Sequence, residues 1–74
     1  MAKTGRTVVV GWITITCRER DVLVLLVEGD TNRDIARKLR IREQTVKDHV
    51  STLLRKFGVR TRVALAVAAV RAGL

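Results

Sequence analysis

The chain of 74 residues has no proline, no tyrosine, one cysteine, one histidine, one tryptophan and one phenylalanine. Each scarcity excludes something. A lone Cys17 cannot close an internal disulfide, and with His49 as the sole imidazole no Cys/His zinc site can be assembled. Aromatics at 3% leave out the stacking platforms on which single-strand binders rely. The longest apolar run, Val22 to Val27, is far below the roughly 20 residues needed to cross a bilayer. Lys3 and Arg6 precede an apolar stretch broken by Gly11, Trp12 and Thr14, with no small-residue cleavage site after it, which is not the pattern of a secretion signal. A reducing, cytoplasmic setting is expected. No nucleophile and base, metal-ligand set or phosphate loop can be found, so neither an enzyme nor a cofactor is expected.

What is present is charge of one sign. The chain carries 15 Lys and Arg against 7 Asp and Glu, a formal net charge of +8. Residues 1–32 are balanced, whereas residues 33–62 hold ten basic side chains against Asp34, Glu43 and Asp48, a net of +7. A basic block on a folded segment points to a polyanion, either nucleic acid or an acidic membrane surface. With 47% hydrophobic residues the chain is a folded domain and no basic tail. At this length only one modest core fits, so a partner chain is a natural source of further burial.

The pattern after residue 16 is helical, with Gly29, Gly58 and Gly73 as breaks. Thr16 with Glu19, and Thr31 with Asp34, have the spacing of capping boxes. The first helix runs from there to about Glu28, and the second is two turns long, ending near Leu39. Arg40 and Ile41 leave no room for a loop before a third helix, on which Val46, Val50, Leu53, Leu54 and Phe57 share one face. The opposite face carries Gln44, Lys47, Asp48, Ser51 and Arg55. Two helices joined this tightly, the second longer and polar outside, read as a helix-turn-helix. A fourth helix, about Arg62 to Ala72, is apolar all round, so one side calls for cover by something else. Self-association through Val63, Ala64, Val67, Ala68 and Arg71 supplies it; the plainer reading is that the alanines are good helix formers on an exposed face. Residues 1–15, rich in β-branched side chains, suit an extended arm, with Trp12 anchoring it on the bundle.

Residues 15–74 also resemble a known family. The strings Ile-Thr-Cys-Arg-Glu-Arg-Asp-Val-Leu from residue 15, Thr31-Asn32-Arg33-Asp34-Ile35-Ala36, Glu43-Gln44-Thr45-Val46 and Leu54-Arg55-Lys56-Phe57-Gly58-Val59 are similar to LuxR/FixJ-type helix-turn-helix domains. The resemblance implies an all-α fold, a four-helix bundle with the N-terminal arm (1–15) outside the domain proper (16–74). It also implies a third helix entering the DNA major groove, a fourth that mediates homodimer formation, and a regulator of transcription. Three positions depart from the family pattern: Arg42 stands where Ser or Thr usually caps the third helix, Cys17 replaces a first-turn Pro, and Arg40 replaces a frequent Gly.

On this reading Gln44, Lys47, Asp48, Ser51 and Arg55 face the bases. Lys47 suits guanine and Gln44 adenine, while Asp48 either accepts from cytosine or pairs with Lys47 or Arg55 on the surface. Thr31, Asn32, Arg33, Arg42, Thr45, Lys56 and Arg60 are expected at phosphates, helped by free amides at helix amino-termini. Arg62 is either a further phosphate contact or a bridge between helices. His49 is expected to pack or touch phosphate. The partners are double-stranded DNA and a second copy, with no membrane. Two alternatives stand beside this reading: a sigma-factor-like promoter reader that binds RNA polymerase, and a basic module for a membrane surface or another protein.

Overall fold

A threonine precedes three of the four helices, and in each case its hydroxyl accepts the amide three residues on: Glu19 at 3.0 Å, Asp34 at 3.1 Å and Ala64 at 3.1 Å. Each such cap stabilises its helix by about 1 kcal/mol. The structure, a computed structural model, describes residues 6–74. Its elements in order are β1 (Thr7–Val10), β2 (Ile13–Thr16), α1 (Cys17–Val27), α2 (Asn32–Leu39), α3 (Glu43–Phe57) and α4 (Arg62–Arg71). Both expected capping boxes form, since the Glu19 and Asp34 carboxylates accept back from the Thr16 and Thr31 amides.

The turn between α2 and α3 keeps its shape without glycine. Arg40 takes the left-handed conformation at φ 58°, and Ile41 N–H returns to the Ala36 carbonyl at 3.0 Å. That bond and the burial of Ile35 and Ala36 on α2 offset the about 1–2 kcal/mol that a left-handed conformation costs a side chain with a Cβ. At the start of α3, Arg42 has cap geometry but makes no side-chain cap bond. A hydroxyl at this position would stabilise the helix by about 1 kcal/mol, which Arg42 forgoes.

One core joins all the elements. Val22, Leu23 and Leu26 of α1, Ile35 of α2, Val46, Val50 and Leu53 of α3, and Leu65 and Ala69 of α4 are buried together with Val10 and Ile15. The periodicity on α3 thus describes its core face, with Leu54 and Phe57 half-buried at its edge.

Two expectations need correction. The fold is not purely helical, because the expected extended arm folds back as an antiparallel hairpin: Val8 pairs with Ile15 and Val10 with Ile13. Residues 1–5 of that arm lie outside the described residues. The hairpin turn is Gly11-Trp12, with a positive φ only at Gly11, the arrangement of a type II′ turn. A side chain at Gly11 would meet the Ala72 Cβ at 3.0 Å, so the turn sits hard against the end of α4. Trp12 does not anchor the arm. It is 91% exposed at the turn, and Val10 and Ile15 do the anchoring. The reason is the alternation of a strand, which turns Val8, Val10, Ile13 and Ile15 inward and leaves the turn residue outside.

Candidate nucleic-acid interface

With Val46, Val50 and Leu53 committed to the core, α3 must present the rest of its circumference outward. Gln44, Lys47, Asp48, Ser51 and Arg55, spaced by three or four residues along the outer side, are all exposed. The structure brings these five together as one surface. Asp48 pairs with neither Lys47 nor Arg55: the Gln44 side-chain amide donates to its carboxylate at 3.1 Å. One carboxylate oxygen is thereby occupied, and the Gln44 carbonyl stays available as an acceptor.

The amino-terminal end of α2 is fixed by contacts far apart in sequence. Arg62 donates to the Asn32 side-chain oxygen at 2.6 Å and to the Asp30 carbonyl at 2.7 Å. Of its two expected roles, Arg62 has the bridging one. Asn32 keeps its amide hydrogens as donors, and the Thr31 hydroxyl, which accepts from Asp34, keeps its proton to donate. Arg33 lies exposed beside them, as does Arg42 at the start of α3, with Thr45 half-buried next to it. His49 is half-buried on the border of α3's two faces.

Several cations are engaged within the protein. Arg37 pairs with Asp34 at 2.9 Å and Lys38 with Asp30 at 2.7 Å. Lys56, expected at a phosphate, instead donates to the buried Glu19 carboxylate at 2.8 Å, with its side chain one-third exposed. The ammonium reaches inward because Glu19 is buried at the start of α1, and a buried carboxylate draws a counter-charge. Among the described residues Arg33, Arg42, Lys47, Arg55 and Arg60 take part in no ion pair. The same holds for Arg20, Arg40 and Arg71, which are likewise exposed.

The titration of these groups follows their partners. Burial pushes the Glu19 carboxyl up, but hydrogen bonds from Lys56 and the Thr16 amide, with the Lys56 charge, outweigh it and hold the group below its ordinary value. Asp34 is lowered by its hydrogen bonds from Thr31, and Lys38 is raised by Asp30. All three stay ionised at neutral pH.

On α4 Leu65 and Ala69 are buried, while Val63, Val67 and Val70 form an exposed stripe four and three residues apart. Ala64 and Ala68 are half-buried and Arg71 is exposed. Among the described residues no group of three or more His, Cys, Asp or Glu could hold a metal ion, and no helix is long and apolar enough to cross a membrane.

Comparison with known proteins adds a family. Residues 14–69 match the family model for bacterial regulatory proteins of the luxR family. The chain belongs to that family. The LuxR-family chain is 53% identical over 53 residues to the nitrate/nitrite response regulator NarP of Escherichia coli, covering 72% of this chain but 25% of NarP. It is 42% identical over 59 residues to the spore germination protein GerE of Bacillus subtilis, covering 80% of each. The solved structure of the transcription factor GerE superposes with a TM-score of 0.74 at 37% identity, over 80% of this chain and 88% of that one. The Vibrio cholerae VqmA dimer, a LuxR-type receptor studied without its target DNA, gives 0.78 at 36% identity, over 80% of this chain and 27% of that one. The chain thus spans a quarter of NarP and most of GerE. Over residues 14–69 it carries the domain of the luxR family of bacterial regulatory proteins.

Of the residues that shape the interface, sequence reasoning missed Asp30, whose carbonyl receives Arg62 and whose carboxylate receives Lys38. Nothing local signals a carbonyl acceptor for a side chain 32 positions away. For the hairpin a signal existed: Gly-Trp between two four-residue β-branched runs fits the Gly-first type II′ pattern.

Proposed function

We propose that the domain binds specific sequences of duplex DNA as a homodimer, with α3 in the major groove and α4 pairing the two copies, and acts in the bacterial cytoplasm. The observation that carries this reading is the division of labour across the basic segment. The exposed face of α3 is polar and α3 as a whole nets only +1, while the unpaired cations Arg33, Arg42 and Arg60 lie on its flanks. A helix that reads bases needs donors and acceptors more than charge, and the flanks that grip phosphate need charge.

Gln44, Lys47, Asp48 and Ser51 read base edges in this proposal, with Arg55 further along the groove. Lys47 donates to guanine. Gln44, its amide group oriented by Asp48, both donates and accepts at adenine. Thr31, Asn32, Arg33, Arg42, Thr45 and Arg60 hold the backbone. Val63, Ala64, Val67, Ala68 and Arg71 form the contact between copies.

Equilibrium binding of Lys47→Ala and Arg33→Ala to specific and random duplexes tests the assignment. Lys47→Ala is expected to lose about 1–3 kcal/mol of discrimination at one base pair. Arg33→Ala is expected to weaken both duplexes alike and to lower the salt dependence by about one counterion. Equal losses on both duplexes for both variants would contradict the division of roles.

A further inference from the structure

The hairpin turn, the end of α3 and one side of α4 together enclose an open apolar groove of about 550 Å³. Ile13, Phe57, Ala64, Val67, Ala68 and Arg71 line it, and Trp12 stands on its rim. We propose that Trp12 anchors the pairing of two copies, each indole seating in the groove of the partner beside Ala64 and Ala68. This rests on the α4 pairing above and adds to it an element, the hairpin, that lies outside the helices.

The occupant is argued from shape, area and symmetry. Trp12 is 91% exposed, and none of the described residues covers it. An indole carries about 200 Å² of surface. A stable interface needs about 800 Å² from each partner, so this single residue brings roughly a quarter of the requirement. The stripe of Val63, Val67 and Val70 beside the groove continues the same exposed apolar surface. An isologous contact requires that whatever residue i touches on the partner also touches residue i in return. A projecting Trp12 and a recess lined by two alanines meet that requirement with a second copy. The Arg71 guanidinium at the groove wall offers the incoming indole a cation–π partner, so the charge there assists the contact. None of the residues proposed to read bases lines the groove, which leaves the outer face of α3 free for DNA.

Trp12 is the only tryptophan and the chain has no tyrosine, so intrinsic fluorescence reports this one side chain. Emission and acrylamide quenching of the full chain, followed over concentration beside sedimentation equilibrium, test the proposal. Emission is expected to move to the blue and quenching to fall in step with dimer formation. Trp12→Ala weakens self-association by roughly tenfold or more. Ala68→Leu, which fills the groove and keeps the tryptophan, weakens it similarly while Trp12 remains red-emitting and quenchable; circular dichroism melting checks that both variants are folded. A dimer in which Trp12 stays fully quenchable overturns the anchor and leaves the α4 pairing standing. A chain that sediments as a monomer at every concentration overturns both. A blue shift that appears only with anionic vesicles and no self-association gives the groove to a different occupant and also overturns the proposal.

Discussion

The Arg62 guanidinium, on the first residue of α4, holds the side-chain oxygen of Asn32, the first residue of α2, at 2.6 Å. A second nitrogen of the same fork reaches the Asp30 carbonyl at 2.7 Å. The end of α2 that carries Thr31, Asn32 and Arg33 is therefore set by a side chain from the opposite end of the sequence.

Replacing Arg62 removes two charge-assisted hydrogen bonds from half-buried acceptors. Arg62→Ala is expected to lose about 1.5–3 kcal/mol in urea unfolding. Arg62→Lys should lose most of the same amount, because an ammonium cannot reproduce the planar fork. DNA affinity should fall on all sequences alike in both. A lysine variant with wild-type stability would show that charge, not geometry, fixes the α2 end.

Glu19 joins the start of α1 to the end of α3 through Lys56. Glu19→Gln keeps an acceptor for the Thr16 amide and removes the charge, for an expected loss of about 1–3 kcal/mol at neutral pH. The folded-state pKa of Glu19 is depressed, so its contribution is fully present above the ordinary carboxylate range near 4.3 and fades as pH falls through the lowered folded value. Asp34 acts in the same direction. Lys38 is raised, so its contribution is present below the ordinary lysine value and is lost as pH rises through the folded one. Unfolding free energy measured from pH 7 into acid should fall less steeply for Glu19→Gln than for the natural chain; parallel curves would contradict the pair.

Arg42 occupies a cap position without capping. Arg42→Ser restores the hydroxyl and is expected to stabilise the domain by about 1 kcal/mol in urea unfolding. If Arg42 holds phosphate, the same variant binds every duplex more weakly and with a shallower salt dependence. Higher stability with unchanged DNA affinity would remove Arg42 from the phosphate set.

The helices were legible in the sequence because their signals are local: threonine with an acid three residues later, apolar spacing on α3, glycine after it. The α2–α3 turn was legible in place, and its left-handed residue turned out to be an arginine held by backbone bonds. The outward face of α3 could be read from periodicity alone. What could not be read were the contacts between distant positions. Lys56 looked free because Glu19 is 37 residues away, and Arg62 stood undecided because its partners lie 30 and 32 residues away. Trp12 was misjudged for a related reason: a tryptophan among β-branched residues is usually core, but a two-residue turn places it outside whatever its hydropathy.

The central claim is that paired copies of this domain read sequence through the outer face of α3. Selection of bound sites from a random duplex pool tests it most directly, performed with the natural chain and with Lys47→Ala. The natural chain is predicted to enrich two inverted half-sites spaced by about one helical turn, ~34 Å, and Lys47→Ala to enrich the same arrangement with one base pair per half-site relaxed. A pool that remains random, or isolated half-sites indifferent to the loss of Lys47, would contradict it.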